Sequence, residues 1–265
     1  MDGKMIHLPY VDGGQGFDFG KTSRNYAKYR DIYPVSFYEE LHGYRIGTEG
    51  QNVLDLGTGT GVVPRHMARY GAKWTGADIS EEQISEAREL SKGLPIDYLV
   101  FPADENPFAD DSFDAVTACQ CFWYFPKDTS MPEIRRVLKK GGRFAVLSMV
   151  HLPGESEIVR LGEEIVLKYN PSWSGANFQR MRLSPPDWLH HGFAVADQRE
   201  YVKDVTFTRE SWHGRMLSCR GVGASMPPDL AGRFDEEHRA MLLAAAEESF
   251  AIPHQFTYEI YDVIK

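Results

Sequence analysis

The chain has 265 residues, 42% of them hydrophobic and 25% charged, with a net charge of −9 and a mean hydropathy of −0.40. That composition excludes a wholly disordered or collagen-like chain, and no apolar run approaches the roughly 18 residues of a membrane span. The acidic balance disfavours nucleic-acid binding, while three cysteines without CxxC spacing, Cys119, Cys121 and Cys219, make no disulfide framework and point to a reducing compartment, the cytoplasm.

The start, Met1–Lys4, is charged and has no apolar stretch behind it, so a secretory leader is not expected. Residues 1–35 are rich in Gly and Tyr and read as a loop running into a short helix. Pro34 stands near the start of a second helix over Val35–Tyr44. Asn52–Leu56 is a short apolar run fit for a buried strand. Val62–Tyr70 has helical spacing, and Lys73–Ala77 is a second strand. Ser80 caps the next helix, with Gln83 completing a capping box and Ile84 and Ala87 on the inner face. Asp97–Phe101 and Phe113–Gln120 are further strands. Met131–Lys140 is a helix closed by Gly141 and Gly142, with Arg135, Arg136, Lys139 and Lys140 on its polar face and last turn. Arg143–Val150 is a fifth strand. This alternation predicts an α/β fold, a mostly parallel sheet with helices on both faces.

After Val150 the alternation breaks. A helix over Glu155–Tyr169 precedes the loop-rich stretch Asn170–Pro186. Arg199–Thr208 is a strand, Glu210–Arg220 and Asp235–Phe250 are helices, and Gln255–Ile264 is a closing strand. We expect a single domain: an N-terminal cap segment (1–45), a ligand-binding core (52–150), an insertion (151–198) and a C-terminal completion of the sheet (199–265).

The segment Val53-Leu54-Asp55-Leu56-Gly57-Thr58-Gly59-Thr60-Gly61 carries the chemistry. Glycines at alternate positions let the backbone turn sharply and approach a ligand closely. The helix behind them offers free N–H groups. A nicotinamide-binding loop has GxGxxG spacing, and the third glycine here comes one residue early. The Gly-Lys-Ser/Thr of a phosphate-cradling loop is absent. Asp78 ends the second strand, where an acid can take both hydroxyls of a ribose. No metal-ligand spacing and no GxSxG nucleophile elbow is present.

These residues resemble class I S-adenosylmethionine (SAM)-dependent methyltransferases. Val53–Gly61 is similar to that family's first motif and Asp78 to its ribose acid. Pro102–Glu105 resembles the segment that meets the adenine, Ser112–Val116 the start of the fourth strand, and Arg136–Arg143 the approach to the fifth. Outside the core, Tyr26–Pro34 and Cys119–Phe125 resemble small-molecule methyltransferases of the trans-aconitate type, except that Trp123 stands where relatives usually have histidine. The resemblance implies a seven-stranded Rossmann-like sheet, SAM as cofactor and transfer of its methyl group to a small molecule (EC 2.1.1.-), with neither nucleic acid nor membrane as partner. Alternatives are a catalytically silent SAM-binding interaction protein and a tRNA methyltransferase on the same fold.

The implied cofactor contacts are Gly57, Thr58 and Gly59 beside the methionine and ribose, with Asp55 acting through the loop or a water. Asp78 takes the ribose, with Ile79 against the adenine face. Asp104 accepts from the adenine amine, with Ala103 and Glu105 beside it. Cys119, Gln120 and Tyr124 lie under the methionine arm, and Tyr26 and Arg30 either cap the cofactor or pack on the sheet. Trp123 and Trp173 line a substrate cleft or serve as ordinary core. Trp188 reads as core. His151, just past the fifth strand, is either a solvated loop histidine or part of the ligand-binding edge. No catalytic base is assigned. Residues 151–198 with the N-terminal segment are expected to form a lid, with Trp173 a stiff aromatic on a flexible loop.

Overall fold

The computed structural model describes residues 5–265, so the charged start Met1–Lys4 lies outside the described residues. In chain order the helices and strands are α1 (Ser23–Tyr29), α2 (Val35–Gly43), β1 (Asn52–Leu56), α3 (Val62–Met67), β2 (Lys73–Asp78), α4 (Glu81–Leu90), β3 (Ile96–Val100), β4 (Phe113–Cys119), α5 (Lys127–Val137), β5 (Leu138–His151), α6 (Glu157–Tyr169), β6 (Phe193–Thr208), α7 (Arg209–Leu217), α8 (Pro228–Ala245) and β7 (Ser249–Val263). The seven strands form one mostly parallel sheet in the order β3-β2-β1-β4-β5-β7-β6. β1 pairs in parallel with β2 (Leu54 opposite Thr75) and with β4 (Leu54 opposite Val116). β2 pairs in parallel with β3, and β4 with β5.

The chain gathers into two compact units. One, here called the sheet unit, comprises Tyr33–Met149, Arg182–Tyr201 and Phe256–Lys265. Its core is built from Leu54 and Leu56 of β1, Val116 of β4, Ile134 of α5, Phe144 of β5, Trp188 and Tyr261. The other, the helical unit, comprises the residues up to Ile32, Val150–Met181 and Val202–Gln255. It packs Val159 and Val166 of α6, Trp212 and Met216 of α7, Phe234 and Leu242 of α8, and Trp173 around a second core. The 151–198 stretch, read from the sequence as one insertion, therefore divides between Met181 and Arg182.

Several element boundaries differ from expectation: β6 starts at Phe193 and not Arg199, β7 at Ser249 and not Gln255, and α8 ends at Ala245 and not Phe250. α5 starts at Lys127 and ends at Val137, so Lys139, Lys140, Gly141 and Gly142 belong to β5 and not to a helix end. The Lys139 ammonium holds both carboxylate oxygens of Asp114 on β4 (2.9 and 2.8 Å), and the β4–β5 register shifts between Phe113 and Ala115 to absorb the extra residues. α8 begins at Pro228, with proline in its first turn, several residues before the expected Asp235. At Ser80 the hydroxyl accepts the Gln83 N–H (3.3 Å) as expected. The Ser80 N–H, which a capping box would give to Gln83, is taken by Asp78 Oδ1 (2.9 Å).

Candidate functional site

In the sheet unit the chain runs outward from β1 through β2 to β3 on one side and continues through β4 and β5 on the other. Such a switch leaves a crevice outside the carboxyl ends of β1 and β4, the place where doubly wound sheets take ligands. The glycine loop leaves β1 there. Gly57, Gly59 and Gly61 all have left-handed backbones, with φ of 63°, 56° and 75°. At Gly57 a Cβ would stand 2.6 Å from Cys121 Sγ, and at Gly61 it would run into the Tyr98 hydroxyl. Both positions therefore combine a backbone that favours glycine with a close approach.

Two carboxylates fix the loop. Asp55, 1% exposed, accepts the Thr58 hydroxyl through one oxygen and the Thr117 hydroxyl through the other, each at 2.6 Å. Burial pushes its pKa up to about 6 against the pull of these two hydrogen bonds. Asp55 thus braces the loop from beneath, and any effect on a ligand passes through Thr58 and the loop. Thr58 N–H also donates to the Ala77 carbonyl at 2.9 Å, tying the loop to β2. Asp78 ends β2 with a partly exposed side chain. Its Oδ2 accepts the Gly59 N–H and its Oδ1 the Ser80 N–H, both at 2.9 Å. Burial raises its pKa, while backbone hydrogen bonds from Ser80, Gly59 and Ile79 oppose the rise. One carboxylate therefore couples the glycine loop to the start of α4.

The remaining sheet-unit candidates lie on the connections around that edge. Ile79 follows Asp78 directly and is 45% exposed, an apolar surface beside a carboxylate. Ala103, Asp104 and Glu105 occupy the loop after β3. Asp104 Oδ2 accepts the Thr129 hydroxyl (2.9 Å), Ala103 packs on the core, and Glu105 is exposed. Cys119 ends β4 with its thiol 3.5 Å from the Tyr33 hydroxyl. Burial pushes that thiol up to about 12 and the Cys121 thiol well above its ordinary value, so neither is a thiolate nucleophile. Gln120 sits in a left-handed conformation (φ 60°), and its side-chain amide donates to the Met149 carbonyl. Trp123, 42% exposed, stands edge-on to Tyr124 at 5.7 Å.

Four candidates belong to the helical unit. The Arg30 guanidinium lies 4.9 Å over the Tyr26 ring. His151 is not a solvated loop residue. It is 5% exposed at the end of β5, with Nε2 3.0 Å from Glu163 Oε1. Trp173 is 6% exposed in the helical-unit core, its indole against Gly221 and Gly175. It does not stand on a loose loop. Asp12 accepts the Ser174 N–H (2.7 Å) and is itself held by the Arg220 guanidinium (2.8 and 2.9 Å). The physical reason is that small neighbours, Gly175 and Gly221, leave room for a buried indole where the sequence suggested freedom.

Sequence reasoning also missed contributors. Thr117 is an internal strand residue whose hydroxyl could not be matched to Asp55 without the β1–β4 register. Tyr33 lay within a quoted motif but was given no role. Lys127 donates to the Phe122 and Phe125 carbonyls (2.5 and 2.9 Å), and burial lowers its pKa to about 8. Among the described residues no group of three or more His, Cys, Asp or Glu could hold a metal ion. No helix of the described residues is long and apolar enough to cross a membrane.

The fold and site define a doubly wound α/β protein with a glycine loop after β1 and an acid, Asp78, at the end of β2. A family model described as a methyltransferase domain matches residues 54–146. The chain is 30% identical to a ubiquinone biosynthesis O-methyltransferase of Xanthomonas axonopodis pv. citri over 184 residues, 66% of this chain and 74% of that one. It is 40% identical to methyltransferase phqN of Penicillium fellutanum over 120 residues, 43% of this chain and 37% of that one. The YcgJ protein of Bacillus subtilis shares the fold with a TM-score of 0.52 at 19% identity, over 87% of this chain and 99% of that one. The chain belongs to the class I methyltransferase family, whose methyl donor is SAM. It spans about two fifths of the length of some curated relatives that it matches.

The residues present fit that donor. Asp78 would take a ribose diol, exposed Ile79 beside it would meet a base face, and Asp104 on the loop after β3 would accept from an exocyclic amine.

Proposed function

We propose that the protein transfers the sulfonium methyl of SAM to a small-molecule acceptor. The observation that carries this reading is Asp78, which ends β2 and accepts the Gly59 N–H, so that in this reading ribose recognition and the glycine loop's shape depend on one side chain. SAM brings an activated methyl group, and the chain's own work is binding and orientation. Asp55, Thr58 and Thr117 hold the loop in one conformation before binding, which lowers the ordering cost. Cys119, Gln120 and Tyr124 would line the methionine arm. Trp123 would be the acceptor-facing aromatic.

The relatives named as ubiquinone biosynthesis O-methyltransferase and demethylmenaquinone methyltransferase support a small acceptor. So does the resemblance of Tyr26–Pro34 and Cys119–Phe125 to the trans-aconitate type, and the net charge of −9 favours a partner other than nucleic acid. The test has two parts. Calorimetry with S-adenosylhomocysteine should show binding that Asp78→Ala weakens by at least tenfold. A transfer screen with methyl-labelled SAM against a metabolite extract should label a small molecule. A folded protein that binds neither SAM nor S-adenosylhomocysteine would overturn the reading.

A further inference from the structure

The segment between β4 and α5, residues 120–126, is pinned at both ends within the sheet unit. At its start Gln120 sits in a left-handed conformation (φ 60°), gives its N–H to the Leu147 carbonyl (2.9 Å) and its side-chain amide to the Met149 carbonyl. Cys121 Sγ donates to the Leu56 carbonyl (3.2 Å), where β1 meets the glycine loop. Phe122–Tyr124 then make a tight turn, with the Tyr124 N–H on the Cys121 carbonyl (2.9 Å) and the Phe125 N–H on the Phe122 carbonyl (3.1 Å). At the far end stands Lys127, the first residue of α5. Its ammonium reaches back over the turn, donates to the Phe122 and Phe125 carbonyls (2.5 and 2.9 Å) and lies 4.0 Å from the centroid of the Phe122 ring. Trp123 and Tyr124 stand in sequence between the two carbonyls it holds.

Elementary electrostatics disfavours a lysine there. A helix N-terminus carries partial positive charge, so a cation at the first residue of α5 is at the wrong end. The ammonium is half-buried, and among the described residues it pairs with no carboxylate. The titratable group beside it is the Cys121 thiol, which burial keeps neutral. Asp128 and Asp104 turn elsewhere, toward His191 (3.9 Å) and the Thr129 hydroxyl (2.9 Å). Burial accordingly lowers the Lys127 pKa to about 8. A group that costs stability on two counts and directs its hydrogen bonds to one turn fixes that turn's shape, and departures of this kind gather at functional sites. An ammonium suits the task because hydrogen bonds from a charged donor are roughly twice as strong as neutral ones.

We propose that Lys127 is a positioning residue for methyl transfer, its ammonium closing the Phe122–Phe125 turn so that Tyr124 meets the cofactor and Trp123 the acceptor. The proposal rests on the reading of the carboxyl end of β4 as the SAM site. Because the ammonium does the holding, the turn loosens as the lysine loses its proton, and the grip on the cofactor weakens as pH rises through about 8.

The test compares the wild type with Lys127→Arg, which stays charged at every pH used, and Lys127→Met, which is always neutral. S-adenosylhomocysteine affinity is measured by calorimetry from about pH 6.5 to 9.5. Wild-type affinity relative to that of Lys127→Arg should fall about three- to tenfold across this range, a ratio that cancels the ligand's own titration. Lys127→Met should bind about three- to tenfold more weakly than the wild type at the acid end and match it at the alkaline end. A lysine that served only to pack the turn would leave the first ratio flat. The Trp123 indole N–H resonance, assigned by its loss in Trp123→Phe, gives a second readout on the ligand-free wild type that does not depend on a variant folding. It should shift with a midpoint of about pH 8 in the wild type and stay fixed in Lys127→Arg. A flat ratio, a Lys127→Met protein that binds like the wild type at the acid end, or a Trp123 resonance unmoved through pH 8 would each overturn the role of Lys127. A wild type that binds no S-adenosylhomocysteine overturns the cofactor reading and this role with it, and is told apart because the Trp123 resonance still titrates.

Discussion

Asp78→Ala removes more than the proposed ribose contact. The Asp78 carboxylate accepts from the Gly59 N–H and the Ser80 N–H, both at 2.9 Å. Hydrogen bonds to a charged group contribute about 1.5–3 kcal/mol each. The side chain is partly exposed and water can replace part of the loss, so the lower end applies. Two bonds then give about 2–4 kcal/mol of lost stability. For a chain of this size that is a fall in Tm of about 4–12 °C. The Asp78→Asn variant keeps one acceptor oxygen and should lose about half as much. Urea unfolding of the three proteins, with S-adenosylhomocysteine calorimetry alongside, separates the two roles. Asp78→Ala should lose both stability and affinity, and Asp78→Asn should keep more of the first than of the second. An Asp78→Ala protein with an unchanged urea midpoint would refute the claim that this carboxylate braces the loop.

Asp55 has a native pKa of about 6, raised from 3.8 by burial. Its folded-state proton is bound more tightly than in the unfolded chain, so its stabilisation is present below about pH 4 and is lost as pH rises through 6. The span is about 3 kcal/mol. About half of that span is lost between pH 5 and 8, so urea midpoints should fall by the equivalent of about 1.4 kcal/mol over that range in the wild type and flatten in Asp55→Asn. Gly57→Ala forces a Cβ to 2.6 Å from Cys121 Sγ at φ 63° and should cost about 2–4 kcal/mol. Cys121→Gly should recover the clash but not the backbone strain, and a double-mutant cycle without coupling would count against the contact. Trp173→Ala empties a place in the helical-unit core and should cost about 3–5 kcal/mol, with S-adenosylhomocysteine affinity retained in the folded fraction; calorimetric unfolding with a binding titration checks both.

The glycine loop and the acid at the end of β2 were legible because their signals are local. A strand that ends in alternating glycines needs only neighbouring residues to declare a tight turn, and Asp78 is placed by the strand that carries it. Ser80 announced its cap in the same way. The limits appeared where meaning depends on distant partners. Asp55 reads from the sequence as acting through the loop or a water, and its second partner, Thr117, appears only with the β1–β4 register. His151 looked like a loop histidine until α6 brought Glu163 to its ring.

The sequence by itself determined the βα alternation, the glycine loop, the acid at the tip of the second strand and the family. These rest on periodicity, on backbone conformations open to glycine, and on spacings of a few residues. Only the tertiary structure decided that Trp173 is core, that Lys139–Gly142 belong to a strand, and that His151, His254, Trp212 and Arg215 meet in one buried group. The reason is physical: burial and hydrogen-bond pairing are set by elements far apart in the chain, and a side chain's surroundings are fixed only when those elements pack.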